Sequence, residues 1–230
     1  MSSTVALPPP VAAVLEPIMI EPAQKLLLHN VSWESYIAIG NALSERGNLH
    51  LTYDEGRLEI MSLSQVHEML KFLLCRLIDV LLEELDIPSN GYGQMTHQRQ
   101  DLGKAFEPDA CYYIKNWEKV RELEQIDLSR DPPPDLALEV DITSSSIKRM
   151  PLYERIGVAE LWRFERNTIT VYVLNAEGHY EKAERSPTFP MVPVEELLPF
   201  VQKGIKEGHI AMIRVFRGWV RERIGSVNGS

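Results

Sequence analysis

Residues 136–142 read Leu-Ala-Leu-Glu-Val-Asp-Ile, a nearly continuous apolar run that follows the three prolines at 132–134. A run of this length and composition is typical of a strand buried at the centre of a sheet. Glu139 and Asp141 alternate within it, so both side chains point to the same face of that strand. Unpaired carboxylates cost several kcal/mol when they are buried. That cost is understandable if the end of the strand opens onto a functional site.

The patterns on either side of this strand predict an α/β (α+β) fold class. A turn at Asp54-Glu55-Gly56 joins two alternating segments into a hairpin. Strands are predicted over residues 49–53, 57–61, 94–100, 110–114, 136–142, 159–165, 168–174 and 179–183. Helices are predicted from Ser32 to Gly47, from Ser62 or Ser64 to Pro88, from 143 to about 156, over 192–201 and over 210–224. Residues 116–130 are predicted to form a solvated loop or a short helix.

The length of the chain, 230 residues, suits one substantial domain. Residues 1–22 are rich in Ser, Pro, Val and Ala and are predicted to be a flexible N-terminal arm, with residues 23–230 as a single domain. No apolar run approaches the roughly 20 residues of a membrane span, and no basic region precedes an apolar one as in a signal peptide. Cys75 and Cys111 fit no metal-binding spacing. A cytoplasmic protein is therefore expected.

The net charge of −9 weakens the case for a nucleic-acid partner, because phosphate binding usually leaves a basic footprint. It does not exclude one. Salt screens charges over roughly 10 Å, so a local basic patch acts independently of the total. Acidic residues gathered around a cation would also add to the negative count.

Another carboxylate lies thirty residues before Glu139. It is Asp109, which follows Pro108 at the start of the predicted strand 110–114. Two or three carboxylates at adjacent strand ends supply the oxygen ligands that a hard divalent cation prefers. Such a cation would neutralise charge that develops on a phosphoryl group. The competing interpretations are that the Pro-Asp pair is an ordinary turn and that Asp141 caps the helix that follows. Asp135 is too close to Glu139 to lie on a separate strand and is assigned to a loop.

Several blocks of the chain occur in an order that resembles the Uma-type family of restriction endonucleases, which is abundant in cyanobacteria and belongs to the PD-(D/E)xK nuclease superfamily. The resemblance covers about residues 30–185. The blocks are Trp33, LTYDEGRLEIMS at 51–62, His67-Glu68, EPDACYYI at 107–114, LEVDITS at 138–144, Tyr153 and GVAELW at 157–162. The resemblance implies a restriction-endonuclease-like fold with a mixed central sheet flanked by helices. It also implies DNA as the substrate and Mg²⁺, or Mn²⁺, as the cofactor.

By this resemblance, Asp109 and Glu139 match the acidic positions of the superfamily motif and are predicted to hold the metal. The carbonyl of Val140 and the carboxylate of Asp141 would complete the ligand set. Glu68 is a further candidate, because related nucleases add an acidic ligand from a helix.

The catalytic set predicted from the resemblance is Asp109, Glu139, Asp141, Lys148 and Arg149. Where the superfamily has a lysine two residues after the glutamate, this chain has Asp141. In the family a basic residue often lies instead on the next helix, four residues before the tyrosine, and here that residue is Arg149, beside Lys148. Arginine clamps phosphate well but is a poor substitute for a lysine that orients water. The competing interpretation is that both are ordinary solvated charges.

Four other polar residues are weaker candidates. His67 is suited to binding or hydrogen bonding, although a lone histidine is more often structural. Gln98, Arg99 and Lys104 precede Asp109 and are suited either to contacts with a phosphate backbone or to an exposed edge strand.

Three functions compete at this point. The first is a divalent-metal-dependent endonuclease that hydrolyses DNA phosphodiester bonds, with no membrane partner; a homodimer would suit cleavage of both strands. The second is a non-catalytic binding or regulatory module with an impaired site, which the missing lysine favours. The third, action on RNA or a small nucleotide, ranks last because aromatic and basic residues do not interleave.

Overall fold

The structure is a computed structural model that describes residues 24–43, 49–93, 95–142 and 147–228, with side chains up to residue 224. In chain order the elements are β1 (Lys25–Leu28), α1 (Trp33–Leu43), β2 (Leu49–Asp54), β3 (Arg57–Ser62), α2 (Gln65–Glu84), β4 (Asn90–Tyr92), β5 (His97–Arg99), β6 (Lys104–Phe106), β7 (Ala110–Tyr113), α3 (Trp117–Val120), β8 (Leu136–Asp141), α4 (Met150–Ile156), β9 (Glu160–Glu165), β10 (Thr168–Leu174), β11 (Tyr180–Ala183), α5 (Leu198–Glu207) and α6 (His209–Asn228). The predicted N-terminal arm and Gly47 lie outside the described residues.

The strands form two sheets. The first has the order β1-β3-β2-β6-β5 and is antiparallel throughout. The second has the order β11-β10-β9-β8-β7-β4 and is mixed, because β8 runs parallel to β9 while its other pairs are antiparallel. The predicted fold class, a mixed sheet flanked by helices, is therefore confirmed, and an antiparallel sheet accompanies it.

The predicted hairpin is formed by β2 and β3. Glu55 and Gly56 at its tip both have positive φ, 48° and 88°, which is the backbone of the two-residue turn that matches strand twist. The carbonyl of Gly56 also accepts a hydrogen bond from the amide of Val31 at 2.9 Å. The turn thus ties the first sheet to the start of α1.

The long helix α2 begins where its cap predicts. The hydroxyl of Ser64 accepts a hydrogen bond from the amide of His67 at 3.2 Å, which satisfies one of the free amides of the first turn. The apolar stripe of α2 packs against the mixed sheet together with α5 and α6. Because the cap fixes the first turn, it also fixes where His67 and Glu68 stand relative to the sheet.

Two helices and three short strands differ from the prediction. The helix α4 begins at Met150 rather than near 143, with Pro151 in its first turn, where a proline is tolerated; residues 143–146 lie outside the described residues. The predicted helix at 192–201 is a short 3₁₀ turn over Val194–Leu197 followed by α5, which runs on to Glu207. The strands β1, β4 and β6 were not predicted, because segments of three or four residues carry too little alternation. None of the described helices is long and apolar enough to cross a bilayer.

His97 gives the first sheet a testable pH dependence. It is buried in β5 against the ring of Phe106, and burial lowers its pKa from 6.5 to about 4. The unfolded chain therefore takes up a proton at a higher pH than the folded protein. The resulting stability is complete above pH 6.5 and is lost as the pH falls towards 4, by about 2 kcal/mol at pH 5.

Urea unfolding at pH 7.5 and pH 5 measures this loss. We expect His97→Leu to lose about 2 kcal/mol less than the wild type between the two pH values. His50, whose pKa burial lowers to about 3, contributes equally in both proteins and cancels. Equal losses would show that His97 does not carry the effect.

Candidate metal and nuclease site

The two sheet segments that carry the predicted carboxylates are neighbours. Ala110 of β7 pairs with Leu138 of β8 in antiparallel register, so Asp109 comes opposite the part of β8 that holds Glu139. The amide of Val140 donates a hydrogen bond to Oδ2 of Asp109 at 2.7 Å. Asp109 and Glu139 are thirty positions apart in the sequence, and these contacts bring them together in the sheet.

Asp109 is fully buried and is held as an anion by its neighbours. Its Oδ1 lies 3.3 Å from Nε2 of His67 and 3.8 Å from Nε2 of His50, without a well-aligned hydrogen bond to any described residue. Burial by itself would raise the pKa of Asp109. The interaction with His67, together with the charges of His50 and Arg149, outweighs burial and lowers this pKa to about 2.

Glu139 is buried between Arg149, the N-cap residue of α4, and Tyr153 within α4. Its Oε1 accepts a hydrogen bond from the hydroxyl of Tyr153, and its Oε2 accepts one from Nη1 of Arg149 at 2.9 Å. Burial, together with the charge of Asp109, raises the pKa of Glu139 to about 7 against the opposing charge of Arg149. Arg149 and Tyr153 are four residues apart and so lie on one face of the helix. The structure thus brings together Asp109, Glu139 and the predicted basic residue Arg149.

The remaining predicted site residues have different surroundings. Asp141 faces the same side of β8 as Glu139, as predicted, but its Oδ2 accepts a hydrogen bond from Nη2 of Arg163 on β9 at 2.6 Å. Lys148 is exposed beside Arg149. Glu68 turns away towards Lys71, whose Nζ lies 2.5 Å from its Oε2, and it does not line the cleft described below. Its Oε1 is 3.3 Å from Nδ1 of His67, so Glu68 meets the site only through that histidine.

A cleft of about 650 Å³ opens beside these residues and is lined by Glu139, Val140 and Asp141 of β8. Four cationic side chains also line it. They are Lys148, Arg149, Arg163 and Arg166. A protein of net charge −9 therefore gathers four cations beside its buried carboxylates. Arg149 and Arg163 are paired with Glu139 and Asp141.

The donor set of the site fits a magnesium ion better than a metal that needs a closed protein cage. Among the described residues, no group of three or more His, Cys, Asp and Glu side chains is arranged to hold a metal ion. Mg²⁺ is commonly bound by one or two carboxylates, with water and substrate phosphate completing its shell. Asp109, whose buried Oδ1 has no aligned donor, and Glu139 offer that minimal set. The carbonyl of Val140, the residue that follows Glu139, is the next candidate ligand.

Sequence reasoning missed His50 and Arg163. His50 reaches Asp109 from β2 of the other sheet, and its only signal was a polar residue within an apolar strand. Arg163 faces Glu139 across the parallel register of β8 and β9, which local patterns do not reveal. Asp135 lies in a loop as predicted, where its Oδ2 accepts hydrogen bonds from the backbone amides of 114 and 115 at 2.7 and 2.9 Å.

The three polar residues before Asp109 are engaged away from the cleft. Arg99 pairs with Asp101, with Nε 2.8 Å from its Oδ1, and Lys104 pairs with Asp54. The side-chain amide of Gln98 donates a hydrogen bond to the hydroxyl of Tyr36 at 3.4 Å. These contacts favour a structural role over phosphate binding: Gln98 and Arg99 lie on the edge strand β5, and Lys104 lies on β6 beside it.

Comparison with known proteins assigns the chain to a protein family. The model of the Uma2 family, described as "Putative restriction endonuclease", matches residues 33–206. The chain therefore belongs to the Uma2 family. A solved structure from Anabaena variabilis, described as a putative nuclease belonging to DUF820, matches with 15% identity and a TM-score of 0.44, over 66% of this chain and 90% of that one. No curated protein matches the chain.

Proposed function

We propose that this protein is a divalent-metal-dependent endonuclease that hydrolyses DNA phosphodiester bonds. The observation that carries the proposal is the buried carboxylate pair, Asp109 and Glu139, at the junction of β7 and β8. Burying two carboxylates side by side is costly even when each has hydrogen-bond partners, and the pair stands next to a cleft that is lined with cations. Membership of the Uma2 family supports the same function.

The residues of the chain have separate roles in this proposal. Asp109 and Glu139 would hold Mg²⁺ or Mn²⁺, with the Val140 carbonyl beside them. When bound, such an ion would neutralise charge on the phosphoryl group and activate the attacking water. Tyr153 orients Glu139 through its hydroxyl, and Arg149 both fixes Glu139 and carries a charge that a phosphate oxygen can share.

Asp141, Lys148 and Glu68 are assigned supporting positions. Lys148 is exposed at the cleft and free to reach a phosphate. Asp141 would become available to the ion or to water only by releasing Arg163. Glu68 holds the imidazole of His67 against Asp109 and thereby acts on the site from outside it.

One observation favours the alternative, a non-catalytic binding or regulatory module. Both oxygens of Glu139 already have protein partners, and the position of the expected lysine is an aspartate paired with Arg163. Such a module would keep the fold and the cleft without cutting DNA. Metal binding and cleavage must therefore be measured separately.

The test uses purified protein, plasmid DNA, and Mg²⁺ or Mn²⁺, with EDTA as the negative control. Asp109→Asn, purified in parallel, controls for contaminating nucleases, because asparagine keeps an oxygen for the Val140 amide. We expect cleavage by the wild type alone, reversed by EDTA and restored by added metal. Calorimetric binding of Mn²⁺ without any cleavage would favour the non-catalytic module, and equal cleavage by Asp109→Asn would refute the proposed site.

The site of action and assembly follow from the same proposal. Cys75 and Cys111 are free thiols, which suits a reducing cytoplasm, and we place the enzyme there with DNA as its partner. Two copies acting together would cut both strands of a duplex, so a homodimer on DNA is part of the proposal.

A further inference from the structure

The walls of the cleft beside Glu139 are mainly apolar. The apolar side chains come from β3, the β3–α2 connection, the segments around β8 and α4, and β9. They are Met61, Leu63, Ile142, Ile147, Met150 and Leu161. A DNA duplex presents phosphates and sugars to a protein that follows its backbone. Apolar walls would add little to the binding of such a backbone.

The charged residues of the cleft differ from one another in their exposure and in their pairing. Lys148 and Arg166 are exposed, whereas Glu139 is buried. In the part of the chain that the structure describes, neither Lys148 nor Arg166 has an ion pair or a side-chain hydrogen bond. Arg163, by contrast, is paired with Asp141. The two unengaged cations therefore stand at the rim, with apolar walls and carboxylates further in.

We propose that this cleft receives one unpaired nucleotide, so that the substrate is single-stranded DNA or DNA with a nucleotide out of its duplex stack. The inference rests on the proposed function and names its substrate class. Lys148 and Arg166 hold phosphates at the rim, the apolar walls enclose the base, and the neighbouring phosphodiester lies at Glu139, behind which Asp109 is buried. A volume of about 650 Å³ is in the range of pockets that enclose small molecules, roughly 300–1,000 Å³.

Energetics favour an unpaired nucleotide over a paired one. Extracting a base from a duplex costs a few kcal/mol, and this cost is smallest for a base that is already unpaired. Burial of a base against aliphatic side chains returns part of that free energy. In this cleft aliphatic side chains pack against the base, where other single-strand binders use aromatic side chains. A site of this kind does not need the interleaved aromatic and basic residues that the sequence lacks.

The experiment compares one labelled DNA sequence as a single strand, as a perfect duplex and as a duplex with one unpaired nucleotide. Binding is followed by fluorescence anisotropy with Ca²⁺, and cleavage with Mg²⁺. We expect the single strand and the interrupted duplex to bind at least about tenfold more tightly than the perfect duplex, and to be cut correspondingly faster.

The matched variants are Leu63→Asn, in the cleft wall, and Leu123→Asn, an exposed leucine outside the cleft. Leu63→Asn should weaken single-strand binding about fivefold, while Leu123→Asn leaves it unchanged. Perfect duplex bound as well as single strand, or equal behaviour of the two variants, would overturn the inference even if DNA is cut. Preferential single-strand binding that depends on Leu63, without cleavage, would refute the proposed function and leave the inference standing.

Discussion

Glu139→Gln will lower metal-dependent cleavage at least about 1,000-fold while the protein stays folded. Glutamine keeps an oxygen for the hydroxyl of Tyr153, but its amide nitrogen cannot accept the hydrogen bond of Arg149, so the variant loses stability while it keeps the fold. It removes the negative charge that a divalent cation needs and that Arg149 now balances. The loss should appear in the rate under saturating DNA, because charge at the reacting phosphate is the quantity that changes.

The control for this variant is Glu160→Gln, a change of the same chemistry on the neighbouring strand β9. Glu160 is also a buried carboxylate, bound by Nε1 of Trp162 at 2.6 Å and by the hydroxyl of Thr188 at 2.6 Å. It stands at the other end of the strand pair, opposite Leu136. We expect Glu160→Gln to lose stability but not cleavage. Comparable rates for the two variants would remove Glu139 from the reaction.

Arg149→Met will affect both stability and cleavage. The change leaves Glu139 buried without its cation, and breaking a buried ion pair in this way costs about 3 kcal/mol or more. Cleavage should fall about 100-fold, because the phosphate loses the same charge. Urea unfolding and initial cleavage rates measure the two effects. Arg155→Met, an exposed position on the same helix, should change stability by less than about 0.5 kcal/mol.

A double variant tests whether Glu139 and Arg149 stabilise the protein as an ion pair. If Glu139 and Arg149 stabilise each other, Arg149→Met combined with Glu139→Gln should recover part of the lost stability, because no buried charge is left without a partner. Strictly additive losses in the double variant would contradict the pairing. Cleavage should remain absent in either case.

The longer strands and the two carboxylates could be predicted from the sequence because both follow from local patterns. A continuous apolar run with alternating acids identifies β8, and Ser64 identifies the start of α2. The pairing of Asp141 with Arg163 could not be predicted, since it depends on the parallel register between β8 and β9. The same is true of His50, which approaches Asp109 from a different sheet.

Glu68 is instructive because its surroundings are largely local. Lys71 lies three residues further along the helix and pairs with it, as residues at this spacing on a helix do. The spacing of Glu68 and Lys71 in the sequence therefore already indicated that Glu68 faces Lys71 and not the cleft. Its contact with His67 explains how it still influences Asp109.

The alternation along β8 has a consequence for how the site opens and closes. Leu138 and Val140 belong to the main core, while Glu139 between them faces the cleft. Fraying of this strand would expose core leucine and valine side chains at the same time as the carboxylates. We therefore expect the amides of β8 to exchange as slowly as those of the core. In the proposed mechanism, DNA is admitted by movement of the rim, while the carboxylates stay as rigid as the core.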